Sequence, residues 1–511
     1  MSPGPTLLVQ RHVPGARNKR NFTPAEPMSD PPIISRIQRL PPGAWLGLFL
    51  ILAVALRALS FGYSVIDHDE STYIVIAREL LQGKIFYIDV WDTKPPGIFL
   101  IFMGILKLGG PLVPMVRLTA ALVIGISAFL LFLSALRWGH KRAAAALAGF
   151  SYILMTSVHE WNFAANSEIF FNFFTVLGLW FFLARPRTYL PFLTGLAFGL
   201  GFIIKFYVLF DLFALWLFHL FTAKGRGYSG SPGSLAKYSL GMALGFLLPF
   251  SVLMAYFASA GLFPEFRFAT FGLPGNYVSP FRIQRALGFF SEFHLVYLPF
   301  AITALLLIFR GSDRRLALLG TLWMGMVWII VILPGKYFHH YYFQLLPPLA
   351  FLMAAAPDPA IRMSKLFAGR ARTVLPIMLA LVIAWSLSLQ YRKYIARTDH
   401  PREIAAYLEH RMSPQDKLYT NYATILYASL QRSPLHRYVH PTLITDKNHV
   451  KAVGINVPLV MQNVTGQRPE WLVIRGNPHH IIQEYIQQQC SPEKEFGKDI
   501  TVYHRRSPSA R

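Results

Sequence analysis

The sequence predicts a polytopic α-helical membrane protein that carries a small C-terminal α/β domain. Of its 511 residues, 54% are hydrophobic and only 14% charged, whereas a soluble chain carries about 25% charge. Apolar runs long enough to cross about 30 Å of hydrocarbon, which takes roughly 20 residues, recur along most of the chain. The composition then turns polar after Tyr391. A net charge of +24 would point to nucleic acid in a soluble protein, but in a membrane protein loop cations on one side account for it. The single cysteine, Cys490, excludes a disulfide framework within the chain and any metal site built on several thiolates. The apolar bulk excludes disorder for most of the sequence.

Residues 1–43 are rich in Pro and Arg, lack an apolar core and read as a basic cytoplasmic segment. The first apolar run begins too late for a cleaved signal peptide and has no small-residue cleavage pattern, so it is expected to stay as an anchor. About eleven spans follow from the apolar runs, near 44–61, 115–136, 142–158, 167–184, 188–204, 206–222, 238–258, 291–309, 314–333, 340–356 and 372–390. They build a membrane domain over 44–390. Pro96–Leu108 is apolar too, but it opens on Pro95-Pro96 and stops at Gly109-Gly110-Pro111. It is expected to lie at the interface, within a first outer loop over 62–114.

Charge placement supports that choice. With Pro96–Leu108 outside, Arg36 and Arg39, Arg137 and Arg142, Arg185 and Arg187, Lys224 and Arg226, Arg310 and Arg315, and Arg362 and Arg372 all fall on one face, as the positive-inside rule demands. An odd number of spans then puts the tail, 391–511, outside. The tail alternates helical patterns at Arg402–Arg411 and Pro478–Gln489 with strand-like runs at Lys417–Asn421, Trp471–Ile474 and Ile500–His504.

The outer side is where chemistry is possible. Its first loop reads Asp67-His68-Asp69-Glu70, and carboxylates this dense beside a membrane must be solvated, paired or bound to a cation. Asp67 with Glu70 three residues on also fits a helix-capping box; the alternative is a general base or a set of oxygen ligands for a divalent ion. Glu168 opens an apolar helix, where it suits the helix dipole. Lys205 interrupts an apolar run and could simply snorkel. The adjacent His339 and His340 cannot share one helix face, which argues against a two-histidine metal site, and Tyr341 and Tyr342 suit an interfacial belt. Collectively, acids and separate cations at the ends of different helices suit proton removal by a base while cations hold a phosphate leaving group. A transporter would place its ionisable residues near mid-bilayer, on broken helices.

The segments Asp69-Glu70-Ser71-Thr72-Tyr73, Ala77-Arg78-Glu79-Leu80 and Asp92-Thr93-Lys94-Pro95-Pro96 resemble the first periplasmic loop of the membrane-embedded C-type (GT-C) glycosyltransferases. That group contains the aminoarabinose transferases of lipid A, the protein O-mannosyltransferases and the rhizobial lipopolysaccharide galacturonosyltransferases. The similarity runs in order and spacing over roughly residues 44–356 and leaves out the tail. The resemblance implies a GT-C type fold and an inverting transfer of one sugar from a polyprenyl-phosphate donor. The acceptor would be lipid A, polysaccharide or protein at the outer face of the bacterial inner membrane. No nucleic acid partner is implied. Asp69 falls on the catalytic acid position, with Glu70 its neighbour. Lys94 and Lys205 match donor-phosphate lysines, and His339 or His340 and Tyr341 or Tyr342 fall in a late-loop region that closes the site, with His339 and Tyr341 as the expected donor-phosphate contacts. Glu168 matches a second acidic position where a divalent ion (Mg, Mn or Zn) has a place, and Asp67, outside the matched core, is a further candidate ligand. An oligosaccharide ligase or polymerase, and a glycolipid transporter or flippase, are the competing readings.

Overall fold

The computed structural model describes residues 40–110, 112–273, 281–310, 313–355 and 371–506. The expected basic segment up to Arg39 and the cations between Arg362 and Arg370 lie outside them. From Pro41 onward the chain forms one compact unit. Its first helices are α1 (Pro42–Ala55), α2 (His68–Leu81), α3 (Gly97–Lys107), α4 (Leu112–Trp138), α5 (Arg142–Met155), α6 (Ser167–Phe182) and α7 (Leu190–Phe202). There follow α8 (Val208–Thr222), α9 (Pro232–Ser259), α10 (Ile283–Val296), α11 (Leu298–Arg310), α12 (Arg314–Ile332), α13 (Leu346–Leu352) and α14 (Ala371–Gln390). Among the described residues, α4, α9 and α12 are each long and apolar enough to cross a membrane, and α1, α3 and α5 to α8 are shorter apolar helices.

Two expected spans take another form. The run 291–309 is divided between α10 and α11, which meet at 96° around Tyr297, where Pro299 in the first turn of α11 offers no amide to carry α10 onward. The run 340–356 is a 3₁₀ stretch (His339–Leu345), the short α13, and a second 3₁₀ turn (Met353–Ala355). Pro347 and Pro348 start α13 and forbid one regular helix across the segment. Every residue from Tyr341 to Ala355 is nevertheless buried, so its apolar character serves protein packing. The segment expected at the interface is α3, whose 11 residues span about 16 Å.

Small residues bring α7 and α9 close together. A Cβ at Gly195 on α7 would lie 2.0 Å from the Met242 carbonyl oxygen on α9, an approach that only glycine permits. The two ends of the bundle are chemically distinct. At one end Arg137 reaches the Trp180 carbonyl, Arg226 reaches the Phe182 carbonyl, and Trp138 Nε1 donates to Asp313 at 2.7 Å. Cationic connections expected on a single face therefore converge. Arg117, Glu168 and the α2 N-terminus occupy the opposite end of the same helices.

The tail supplies α15 (His400–Glu409), β1 (Leu418–Thr420), α16 (Val457–Gly466), β2 (Trp471–Arg475), α17 (His480–Gln489), β3 (Cys490–Phe496) and β4 (Ile500–Arg505). Its sheet runs β1-β2-β4-β3, with β1 and β2 parallel and the other pairs antiparallel. Tyr419, Val464, Leu472 and Ile482 form its core. β3 was hidden from periodicity because it is a charged edge strand with a register shift after Pro492. The tail docks on the membrane part at named points: Asp399 Oδ2 accepts from Ser64 N and Oγ at 2.9 Å, and Trp91 N donates to the Arg437 carbonyl at 2.8 Å.

Candidate active site

Asp67 caps α2, its Oδ1 accepting from Asp69 N at 3.0 Å. This puts Asp69 and Glu70 in the first turn, where the helix dipole favours negative charge. Asp69 Oδ1 meets Lys94 Nζ at 2.7 Å and His440 Nε2 at 2.9 Å, and its Oδ2 accepts from Tyr73 Oη at 3.2 Å. Burial alone would raise the Asp69 carboxyl. The Lys94 charge, the hydrogen bond from His440 and the charge of His340 outweigh burial and hold it well below the ordinary carboxylate value. Lys94 is shifted the opposite way: burial would lower it, but Asp69 and then Asp92 raise it well above a free lysine. The Lys94 loop is shaped by Asp92, whose Oδ1 accepts from Lys94 N at 3.0 Å.

Glu70 has a different environment. It is fully buried, and Arg117 engages it through Nε at 3.1 Å and Nη2 at 2.6 Å, while Ala165 N donates to its Oε2 at 2.6 Å. Arg117 also reaches the Ser60 and Tyr63 carbonyls. The pair thus fastens α2 to α4 and to the strand of chain ahead of α6.

Glu168, buried at the start of α6, forms an ion pair with Lys205 and accepts from Ser167 Oγ at 3.1 Å. The Lys205 ammonium also lies 4.2 Å from the Tyr341 ring centroid and 4.9 Å from that of Tyr207, a cation–π box. The two lysines belong to one locality because Gly97 N donates to the Ile203 carbonyl at 2.9 Å. That contact presses the segment after Lys94 against the turn that carries Lys205. Asp67 Oδ2 accepts from Asn166 Nδ2 at 3.2 Å and lies 3.8 Å from His340 Nδ1.

No protein-family model and no curated protein matches the sequence. Solved structures do match. ArnT from Cupriavidus metallidurans bound to undecaprenyl phosphate is similar with a TM-score of 0.62 at 15% identity, over 92% of this chain and 99% of that one. The apo state of ArnT gives 0.63 at 16%, over 90% and 98%. The arabinofuranosyltransferase AftD from mycobacteria gives 0.53 at 14%, over 91% of this chain and 41% of that one. The Archaeoglobus fulgidus oligosaccharyltransferase in complex with Zn and sulfate gives 0.50 at 12%, over 84% and 68%. The fold is that of the GT-C glycosyltransferases.

Within this GT-C fold the residues singled out in the sequence separate into groups. Asp69 and Lys94 touch. Glu168, Lys205 and Tyr341 form a second cluster beside them. Glu70 is fully buried, with both oxygens engaged by Arg117 and the Ala165 amide. His339 sits apart from these groups: its Nε2 lies 2.9 Å from Glu292 at a half-buried position, and its ring stacks on His159 and Trp161. Its neighbour His340 is the histidine that reaches Asp67. For a divalent ion the fit is poor. Among the described residues no three His, Cys, Asp or Glu side chains converge, Glu168 is held by a lysine, and Asp67 is engaged in capping α2 and by Asn166.

Two residues in contact with these groups escaped the sequence, Arg117 and His440. Arg117 was signalled by being a lone arginine in an apolar span, a costly placement that needs a buried partner. His440 had no such signal, since nothing in a polar tail marks which histidine will fold back onto the first loop.

Proposed function

We propose that this chain is an integral membrane glycosyltransferase. It moves a sugar from a polyprenyl-phosphate donor to an envelope glycan, lipid or protein acceptor, with inversion at the anomeric carbon. The observation that carries the reading is Asp69, a buried carboxylate held by Lys94 and His440 at the end of a GT-C fold opposite the cationic connections. By the positive-inside rule those connections are cytoplasmic, which makes the site outward-facing, at the bacterial inner membrane. The similarity to ArnT bound to undecaprenyl phosphate supports an apolar phosphate-linked donor.

The acceptor hydroxyl attacks the anomeric carbon from the face opposite the phosphate. Asp69 takes the hydroxyl proton. The bond from anomeric carbon to phosphate oxygen breaks, its electron pair stays on the phosphate, and Lys94 and Lys205 stabilise that charge. In the resting arrangement Lys94 keeps Asp69 a weak base. When Lys94 turns to the donor phosphate, Asp69 loses its main countercharge and its proton affinity rises, so donor binding arms the base. Glu168 holds Lys205 in the same way until phosphate arrives, and Tyr341 flanks it.

The test is turnover by purified protein with total polyprenyl-phosphate sugars, following free polyprenyl phosphate by mass spectrometry for wild type and Asp69→Asn. Release that needs both Asp69 and an added envelope fraction is expected. Undiminished release by a folded Asp69→Asn protein would overturn the assignment.

A further inference from the structure

The tail contains a partly open cleft at the carboxyl end of β1. Thr420 and Asn421 form one wall, and the segment Pro434–Thr445 forms the other. No charged side chain lines it among the described residues. Three tyrosines, Tyr422, Tyr427 and Tyr438, contribute flat apolar faces with polar rims. Two polar atoms of the lining, Thr424 Oγ1 and His436 Nδ1, are buried and have no hydrogen-bond partner among the described residues. Such atoms are costly unless a partner arrives. Burial pushes the His436 imidazole down to about 4, so it stays neutral and can accept or donate a hydrogen bond without bringing a charge.

The pocket's wall is also the segment that touches the catalytic side. Trp91, three residues before Lys94, donates its N–H to the Arg437 carbonyl and packs edge-on against Tyr438. His440, between the lining residues Val439 and Pro441, reaches Asp69. A ligand seated there is one residue along the chain from the side chain that contacts the proposed base.

We infer that this pocket is an acceptor subsite for a neutral saccharide unit, held by stacking on tyrosine and by hydrogen bonds to Thr424 and His436. The lack of Lys or Arg disfavours a phosphate or a uronic acid, and the lack of carboxylates disfavours an amine or a metal ion. Hydroxyl-rich ligands with one apolar ring face match what remains. The inference rests on the glycosyltransferase reading for the word acceptor, whereas the saccharide site itself does not.

The test uses the full chain in detergent and the methyl α-glycosides of glucose, galactose, mannose and N-acetylglucosamine, read by saturation-transfer NMR. At least one glycoside is expected to bind. Thr424→Val should weaken it about fivefold, as one lost hydrogen bond does, and His436→Phe should act similarly. Thr445→Trp, at an exposed position on the rim, should block binding without disturbing the core, and Asp69→Asn should bind as wild type does. No binding by any glycoside, or binding that survives Thr445→Trp, would overturn the site. Displacement of the glycoside by an extract of polyprenyl-phosphate sugars would give the pocket to the donor and overturn the acceptor assignment. Glycoside binding in a protein that releases no polyprenyl phosphate would keep the pocket and remove the enzyme reading; release without glycoside binding would do the reverse.

Discussion

His440 donates its Nε2–H to Asp69 Oδ1 at 2.9 Å, and its tautomer is fixed because Nδ1 accepts from Thr442 N at 3.2 Å and lies 2.8 Å from Thr442 Oγ1. The tail therefore orients a carboxylate of the first outer loop. A hydrogen bond to a charged group contributes about 1.5–3 kcal/mol, so His440→Ala should lower kcat by roughly 10- to 100-fold. Donor KM should change little, because the lysines still face the phosphate. Added imidazole should restore part of the rate, which a loss of folding would not allow. Steady-state release of polyprenyl phosphate at saturating acceptor checks all three.

The Asp69–Lys94 pair predicts a pH profile. Lys94 is the largest influence lowering the Asp69 carboxyl, so Asp69 is ionised throughout the working range and the acid limb of wild-type kcat/KM lies below the ordinary carboxylate value of about 3.9. Lys94→Met removes the largest opposing charge and leaves only His440 and His340 against burial, which raises the carboxyl. Its acid limb should move upward by about one to three pH units, with a lower plateau from weaker phosphate contact. An acid limb that stayed in place would mean that Lys94 does not set the protonation of the base.

Glu70 and Arg117 should behave as parts of the framework. Removing one member of a fully buried ion pair costs about 3–5 kcal/mol, since the other charge is left without a partner. Glu70→Gln and Arg117→Met should each lower the thermal midpoint in detergent clearly. Asp69→Asn should lower it less, because Lys94 keeps Asp92 at 3.7 Å as a partner. Thermal unfolding of the three variants beside wild type distinguishes anchor from base.

Much of this architecture was legible because it is local. The apolar runs at 115–136 and 314–333 became α4 and α12 because length and apolarity alone decide whether a segment can span. Asp67 capping α2 followed from its spacing to Glu70 and the apolar periodicity beyond. The division of labour between Asp69 and Glu70 was not legible, because it depends on Arg117, 47 positions away in sequence. Nor was the break at Tyr297, where one proline in a continuous apolar run turns a helix by 96°. His440 was invisible for the same reason as Arg117's partner: a contact between distant segments leaves no mark in either one.

The late loop offers a sharp contrast between neighbours. Tyr341 lies against Lys205, while His339 lies with Glu292, where both side chains are about two-fifths exposed. Lys205→Ala should weaken donor binding by roughly tenfold or more, as loss of a charged hydrogen bond does. Tyr341→Leu, which removes the ring beside the ammonium, should cost about 0.5–2 kcal/mol of the same affinity. His339→Ala should change donor KM by less than about threefold, the range of an exposed pair. Donor titrations of the three variants test the assignment, and a large effect of His339→Ala alone would place the phosphate in the wrong cluster.

Gly97 is the hinge on which the two lysines depend. A Cβ there would fall 2.5 Å from the Ile203 carbonyl oxygen and 2.7 Å from its carbon, both backbone atoms with no rotamer through which to yield. Gly97→Ala must therefore push α3 away from the turn before Lys205, and the donation from Gly97 N to the Ile203 carbonyl at 2.9 Å lengthens or breaks. In a site that needs both lysines on one phosphate, a displacement of about 1 Å costs roughly 100-fold in rate. The folded core should persist, since α3 remains apolar and its capping is unchanged. Gly97→Ala is thus expected to lose most of its turnover at a nearly normal thermal midpoint. Gly104→Ala on the same helix, where a Cβ meets nothing within 4 Å, should keep both; equal activity in the two variants would show that the lysines act separately.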